Sequence, residues 1–542
     1  MKLSRFECGA LSALVVLALI NALLLFVHRV MTNGDNLDYL FIASRVLEGH
    51  WAEPFGWRFP VGYPYLLAAF AGLGGISLAS DPFTLSSPGM YAMKGLGMTM
   101  IPVVVVTLWG WILFVSGRRY LAFGLTAVVV TSQHLAPLYS IVGTEPYFIA
   151  LMWLALLGWE HLLRSEPRAG PGMWSLALFA TFFALLFRQI ALAIPLGVIF
   201  YSVSLGPRRA WLTARRPLLA GMVLLGMGLA MMALANPTHL AQLAQSGGEP
   251  TSGLDLRGKL DLVGGNLLAY RLTLFDLLLP KLIGSRGLLG LMHASWLTLP
   301  LVLLLMATVA IGLIDALIRR QRSGVTAWCV LVMLGIILIW PYRDVRFFLP
   351  LVPAFWFFTC RGVEVAMAWN DRFRVASRGI IQGLLLVFLG WNIMINGYAG
   401  TKNIGRILEL WGEPAWHPAR YEVTGEFAFA DHLACGLWLF ESAPSNAVIY
   451  AEKPLFIALA SGRRTRYLGL GLPTEGLARY EGTVAGRKEF WILDGFERSA
   501  GYGRQKDLMI EWLQGAPDTF SLVFQAPHGA TIYLRSQGGR SP

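Results

Sequence analysis

The sequence predicts a polytopic α-helical membrane protein that ends in a soluble α/β domain. Three observations predict it. Of 542 residues, 56% are hydrophobic and 14% are charged, with a mean hydropathy of +0.57, whereas soluble domains carry about 25% charged residues. Uncharged apolar runs recur through residues 1–396, with Lys and Arg gathered in short clusters between them. From about residue 397 the pattern changes to short β-rich runs separated by amphipathic stretches.

The first run, Gly9 to Val27, holds nineteen uncharged residues behind Lys2 and Arg5. It is longer than a signal-peptide core and no small-x-small cleavage pattern follows, so an uncleaved first span is expected. Further runs fall near 95–115, 121–138, 146–160, 173–187, 190–205, 218–235, 290–314, 325–341, 347–360 and 379–395. Basic clusters stand at Arg118-Arg119, Arg164 to Arg168, 206–217, 319–322 and 370–378. Placing all of these in the cytoplasm, as the positive-inside rule requires, yields about eleven transmembrane helices. The N-terminus is then cytoplasmic and the C-terminal domain extracytoplasmic. The net charge of +12 follows from this topology, and no nucleic-acid partner is expected.

Residues 173–205 decide the count. As one helix they would put the arginines of 206–217 outside; as a hairpin they keep them inside. The limbs, fifteen and sixteen residues, reach only about 22–24 Å at 1.5 Å per residue, against a hydrocarbon core of about 30 Å. Arg188 at the apex would then lie below the outer surface, where a cation needs a partner or a wet cavity. Outward-facing loops are expected at 28–92 and 236–289. The second is amphipathic and is expected to hold interfacial helices. Residues 61–79 read as interfacial or partly embedded.

Residues 397–542 read as an extracytoplasmic, periplasmic α/β domain of ordinary size. Strands are expected at 447–451, 465–470, 489–495, 520–526 and 530–536, the last two joined by a Pro527-His528-Gly529 turn. Helices are expected within 425–446, over 453–461 and over 504–514. The four cysteines have neither metal nor redox spacing, and no disulfide framework is visible.

The candidate chemistry begins where the first span ends. Asp35 and Asp38 stand three apart at the start of "LDYLFIASRVLEG", which places both near one helix face. A helix-capping role accounts for Asp38 alone. Asp35, however, is followed by Tyr39 and Ala43 at steps of four, by Gly49 six further on, and then by "RFPVGYPYLLA" from Arg58. Further along stand "GTEPYFIALMWLALL" (143–157), "FALLFRQIALAIPL" (183–196), "RDVRFFLPLVPAFWFF" (343–358) and "AEKPLFIALASGRRTRYL" (451–468).

In this order the segments resemble the GT-C-type glycosyltransferases, among them the protein O-mannosyltransferases and the lipid A aminoarabinose transferases. The "FPVGYP" turn departs mildly from the family's "PPGYP" pattern, with Val61 in place of the second Pro. The resemblance implies a membrane enzyme that moves a sugar from a polyprenyl-phosphate carrier to a lipid, glycan or protein acceptor, usually with inversion. It sets that reaction on the outer face of what would be a bacterial inner (plasma) membrane. It implies that Asp35 is the catalytic base. An acceptor hydroxyl needs such a base within hydrogen-bond reach, and a departing lipid phosphate needs cations. Arg58, Lys94, Arg188, Arg343 and Arg346 are the candidates for the phosphate, with Asp38, Tyr63 and Glu145 as further substrate-binding candidates. No Asp-x-Asp pattern is present, so no metal is expected to be required, although some members of the family use a divalent ion. Two other classes fit parts of the sequence: a lipid or polysaccharide transporter or flippase, and a catalytically inactive GT-C-like scaffold subunit. A transporter is disfavoured by the lack of an inverted repeat and by the long C-terminal domain.

Overall fold

A computed structural model describes residues 4–26, 35–52, 61–76, 78, 87–165, 170–205, 215–235, 256–278, 295–319, 323–339, 345–368, 371–402, 404–409, 422, 427–451, 454–467, 487–493 and 519–535. The chain divides into two compact units. One comprises Met1–Phe26, Pro54–Tyr63 and Lys94–Lys402; the other comprises Val27–Glu53, Pro64–Met93 and Asn403–Pro542.

The first unit is helical. Its first helix, Arg5–Phe26, opens with a reciprocal cap: the Glu7 N–H donates to Ser4 Oγ (3.2 Å), and the Ser4 N–H donates to the Glu7 carboxylate (2.8 Å). Among the described residues, five helices are long and apolar enough to cross a membrane: Arg5–Phe26, Tyr91–Ser116, Glu145–Arg164, Pro300–Ile318 and Val375–Thr401. Shorter apolar helices lie at Arg119–Val130, Pro171–Phe187, Gln189–Ser204 and Gly324–Ile339. The protein is an integral membrane protein.

Two of the expected spans are not single helices. The run 121–138 stops being helical after Val130 and continues as a turn and a 3-10 segment, Ala136–Ser140. Thr131 to His134 carry side chains that compete for backbone groups; the Ser132 hydroxyl, for example, accepts the His134 N–H at 3.3 Å. The exposed carbonyls are satisfied from neighbouring helices, as membrane burial demands. Asn392 Nδ2 donates to Val128 O (3.1 Å), and Asn396 Nδ2 donates to Thr131 O (2.8 Å) and to Asn21 Oδ1 (3.0 Å). The run 347–360 begins as two 3-10 turns, Val345–Phe347 and Leu349–Leu351, before the helix Val352–Ala366. Pro350 and Pro353 lack the N–H that a longer helix would need.

The break at Arg188 is present. The helix Pro171–Phe187 ends there in extended backbone (φ −155°, ψ 133°), a short 3-10 turn follows, and Ala193–Ser204 resumes. Arg188 lies beside Thr144 and Glu145, while Trp159 Nε1 donates to Thr181 Oγ1 (2.9 Å), so helices Glu145–Ser165 and Pro171–Phe187 run antiparallel. Phe200 then packs against Trp328 (5.5 Å), at the level where Glu160 accepts the Thr326 N–H (2.9 Å). The chain therefore turns back at Arg188. Glu160, from another helix, also caps the start of Gly324–Ile339. The helix Leu256–Leu278, in the segment expected to be interfacial, packs along that same helix through Asn266 Nδ2, which donates to Leu338 O (2.8 Å).

Among the described residues, the second unit holds a five-stranded mixed sheet. With β1 (Val448–Ala451), β2 (Arg464–Tyr467), β3 (Glu489–Leu493), β4 (Phe520–Gln525) and β5 (Thr531–Arg535), the order is β2-β1-β3-β5-β4. β1 pairs in parallel with β2 and β3; β5 pairs antiparallel with β3 and β4. The helix Phe427–Ser442 covers the sheet through Cys435 and Leu439, which pack with Ile449, Ile492 and Ile532. The Pro-His-Gly turn closes the last hairpin with Gly529 at φ +106°, a conformation that favours glycine. Asp431 fixes it by accepting the N–H groups of His528 (2.9 Å) and Ala530 (2.8 Å). The helix expected over 504–514 lies outside the described residues. This unit also contains the helix Asp35–Leu47, which packs on the helix Pro454–Ser461.

Candidate functional site

In the first unit the sequence brings three candidates to one point. Glu145 is the first residue of the helix Glu145–Ser165, where a carboxylate is favoured by the exposed N–H groups and the dipole. It is 3% exposed. Arg188 reaches it because the chain breaks there: Arg188 Nε donates to Thr144 Oγ1 at 2.9 Å, and its terminal nitrogen contacts the Glu145 carboxylate. Arg346, in the 3-10 turn ahead of the helix Val352–Ala366, brings a second guanidinium to 3.6 Å from the same carboxylate oxygen. That distance is an ion pair but too long for a hydrogen bond. Arg188 and Arg346 are 15% and 28% exposed. Two cations on one anion leave a formal charge of +1 at the edge of a low-dielectric bundle.

An aromatic layer fixes this arrangement. Tyr63, Tyr147 and Phe187 pack together, with Tyr147 and Phe187 stacked at 5.3 Å and Tyr63 at 5.5 Å and 6.3 Å from them. Phe187 precedes Arg188 and Tyr147 follows Glu145 by two residues, so the layer clamps both ends of the ion pair. The "VGYP" turn enters by close approach: a Cβ on Gly62 would lie 2.9 Å from the Leu186 carbonyl oxygen, so only glycine fits without displacement. Thr144, Tyr147 and Phe187 were not singled out by sequence reasoning. Their signal was adjacency to Glu145 and Arg188, which becomes meaningful only once those two meet.

Lys94 does not snorkel to a surface. It is buried, donates to the carbonyl of Phe26 at 2.6 Å, and lies over the Phe26 ring at 4.7 Å. It thereby serves the C-terminal end of the first helix. Asp35 is the first residue of the helix Asp35–Leu47, and Asp38 lies half-buried one turn on; both belong to the second unit. On that helix Tyr39 and Ala43, from the same spaced series, are buried. Arg58 and Arg343 lie outside the described residues.

Similarity to solved structures covers nearly the whole chain. ArnT from Cupriavidus metallidurans in the apo state matches with a TM-score of 0.50 at 12% identity, over 97% of this chain and 98% of that one. The Archaeoglobus fulgidus oligosaccharyltransferase in complex with zinc and sulfate matches with a TM-score of 0.50 at 13% identity, over 97% of this chain and 73% of that one. The chain has a GT-C fold. The archaeal AglB complex with an inhibitory peptide and a dolichol-phosphate has the same GT-C architecture, with a TM-score of 0.50 at 12% identity over 98% of this chain and 75% of that one. No family model matches the sequence, and no curated protein sequence is detectably similar. At these identities the kinship is one of backbone. The GT-C fold therefore frames the Glu145–Arg188–Arg346 cluster without assigning it a substrate.

Proposed function

We propose that this GT-C protein is a membrane glycosyltransferase that moves a sugar from a polyprenyl-phosphate carrier to an acceptor hydroxyl on the extracytoplasmic face. The observation that carries the reading is the convergence of Arg188 and Arg346 on Glu145. The dolichol-phosphate in the archaeal AglB complex supports a lipid-phosphate carrier.

The charge balance explains why cations are needed. A carrier-linked sugar is a phosphate diester. When the anomeric C–O bond breaks, the electron pair leaves with the phosphate, which gains one negative charge. A new bond forms from the acceptor oxygen to the anomeric carbon, with inversion, and the hydroxyl proton passes to a base. We assign that base to Asp35 on its place in the sequence pattern. Arg188 and Arg346 stabilise the leaving phosphate, and Glu145 with Thr144 holds Arg188 in its working orientation, so that little reorganisation remains for the reaction. Tyr63 supports the site through the aromatic layer. Arg58, Lys94, Arg343 and Asp38 stay as candidates for contacts to donor or acceptor. No metal is required in this scheme. The cytoplasmic N-terminus, the extracytoplasmic C-terminal domain and the inner-membrane location belong to the same proposal, resting on the positive-inside rule.

Purified protein in lipid nanodiscs, offered a panel of polyprenyl-phosphate sugars, should release free carrier phosphate with at least one of them. Asp35→Asn should abolish that release while leaving membrane level and folding intact. Near-normal turnover of this variant would remove Asp35 as the base, and no release from any carrier would remove the transferase reading.

A further inference from the structure

A second charged cluster lies at the other end of the same bundle. Trp111 packs against Trp153 (4.7 Å), and Phe114 lies against His161 (5.1 Å), so the helix Ile101–Ser116 runs parallel to Glu145–Ser165. It ends beside Arg164, whose guanidinium covers Phe114 at 5.8 Å. Nineteen residues along that helix separate Arg164 from Glu145, about 28 Å. At this end a cavity of about 220 Å³ is lined by Arg118, Arg319, Arg361, Arg378, Glu364 and Ser377, among others.

Its charges are arranged in bridges. Arg118 contacts one oxygen of Glu364, and Arg361 lies 3.4 Å from the other. Arg361 Nε also lies 2.9 Å from one oxygen of Asp315, whose other oxygen Arg319 Nε meets at 2.7 Å. Asp315 is brought to Arg361 by a close helix crossing, since a Cβ on Gly362 would lie 1.8 Å from the Thr308 carbonyl oxygen. Arg378 has no ion pair among the described residues. Three guanidiniums thus share two carboxylates, and a fourth, Arg378, lines the same volume, which equals about seven waters of liquid. Like charges held together at a membrane edge need an anion, and the guanidinium fork suits phosphate oxygens.

We infer that this cavity binds the phosphate headgroup of an anionic membrane lipid, separately from the Glu145–Arg188 cluster and whether or not the transferase reading holds. The neighbouring surface argues for a lipid over a soluble phosphate. Val365 and Ala368 line the apolar part of the cavity. Ile318, next to Arg319, is 74% exposed, and Val375, two residues before Ser377, is 72% exposed. Acyl chains would cover these while the headgroup enters between the arginines; basic pockets between membrane helices are suited to such headgroups.

The test uses the delipidated full-length protein with short-chain phosphatidylglycerol, short-chain phosphatidylcholine or inorganic phosphate as probe, read by native mass spectrometry and thermal unfolding. Phosphatidylglycerol should be retained and should raise the unfolding temperature, and phosphatidylcholine should do neither. Arg378→Gln, which breaks no ion pair among the described residues, should weaken phosphatidylglycerol binding about fivefold, the contribution of one cation near a charged membrane surface. Arg257→Gln, on an exposed site of the helix Leu256–Leu278, should leave it unchanged. Equal retention of the two lipids, or an unaltered Arg378→Gln, overturns the site. Protection by inorganic phosphate at the same concentration as phosphatidylglycerol overturns the assignment to a lipid.

Discussion

The two ends of the first unit carry the same chemistry in different proportions. At one end a single carboxylate, Glu145, is shared by Arg188 and Arg346 and clamped by aromatic rings. At the other, Asp315 and Glu364 bridge Arg118, Arg319 and Arg361 around an open cavity that Arg378 also lines. A rigid pair held by a helix break suits charge that develops during a reaction, because its donors need not reorganise. An open pocket with more arginines than carboxylates suits an anion that arrives already charged. The difference lies in how each cation is held.

The largest expected effect tests the rigid end. Arg188→Ala should cut carrier release by about 10²–10³-fold, the usual cost of removing one donor to a developing anion, and should leave phosphatidylglycerol retention at the other end unchanged. Equal loss of both would mean that the two ends are not independent. Next, Gly362→Ala should force apart the helices Ser295–Ile318 and Val352–Ala366, destabilising the protein by about 1–3 kcal/mol as overpacking does. The unfolding temperature should fall, and lipid retention should fall with it, because Asp315 and Arg361 would separate. The smallest effect is expected from Arg319→Gln. This arginine is 63% exposed, and exposed pairs contribute less than about 1 kcal/mol. A large fall in unfolding temperature for this variant would mean that the open end is held as tightly as the closed one.

Much of this was legible in the sequence where a pattern is local. The chain break at Arg188 followed from counting residues against the thickness of a bilayer. The five strands and the Pro-His-Gly turn followed from alternation and turn chemistry. Glu145, Arg188 and Arg346 were each named, as was Tyr63. Local pattern failed where backbone groups are satisfied from a distance. The apolar run 121–138 looked like one span, yet Asn392 and Asn396 on a helix some 260 positions later allow it to unwind after Val130. Nor did local pattern show that Lys94, named as a candidate for the phosphate, donates to the carbonyl of Phe26.

By itself the sequence determined that this chain is a membrane protein built of apolar helices, that it breaks at Arg188, and that a small α/β unit follows. Those properties depend on hydrophobic period, proline and charge within a few turns of chain. Only the tertiary structure decided that Glu145 serves two arginines, that Gly62 admits an aromatic clamp beside them, and that four other arginines surround a cavity toward the other end of the bundle. Ion pairs and close helix crossings join residues tens to hundreds of positions apart, and their energy depends on distance and burial, which no local pattern encodes.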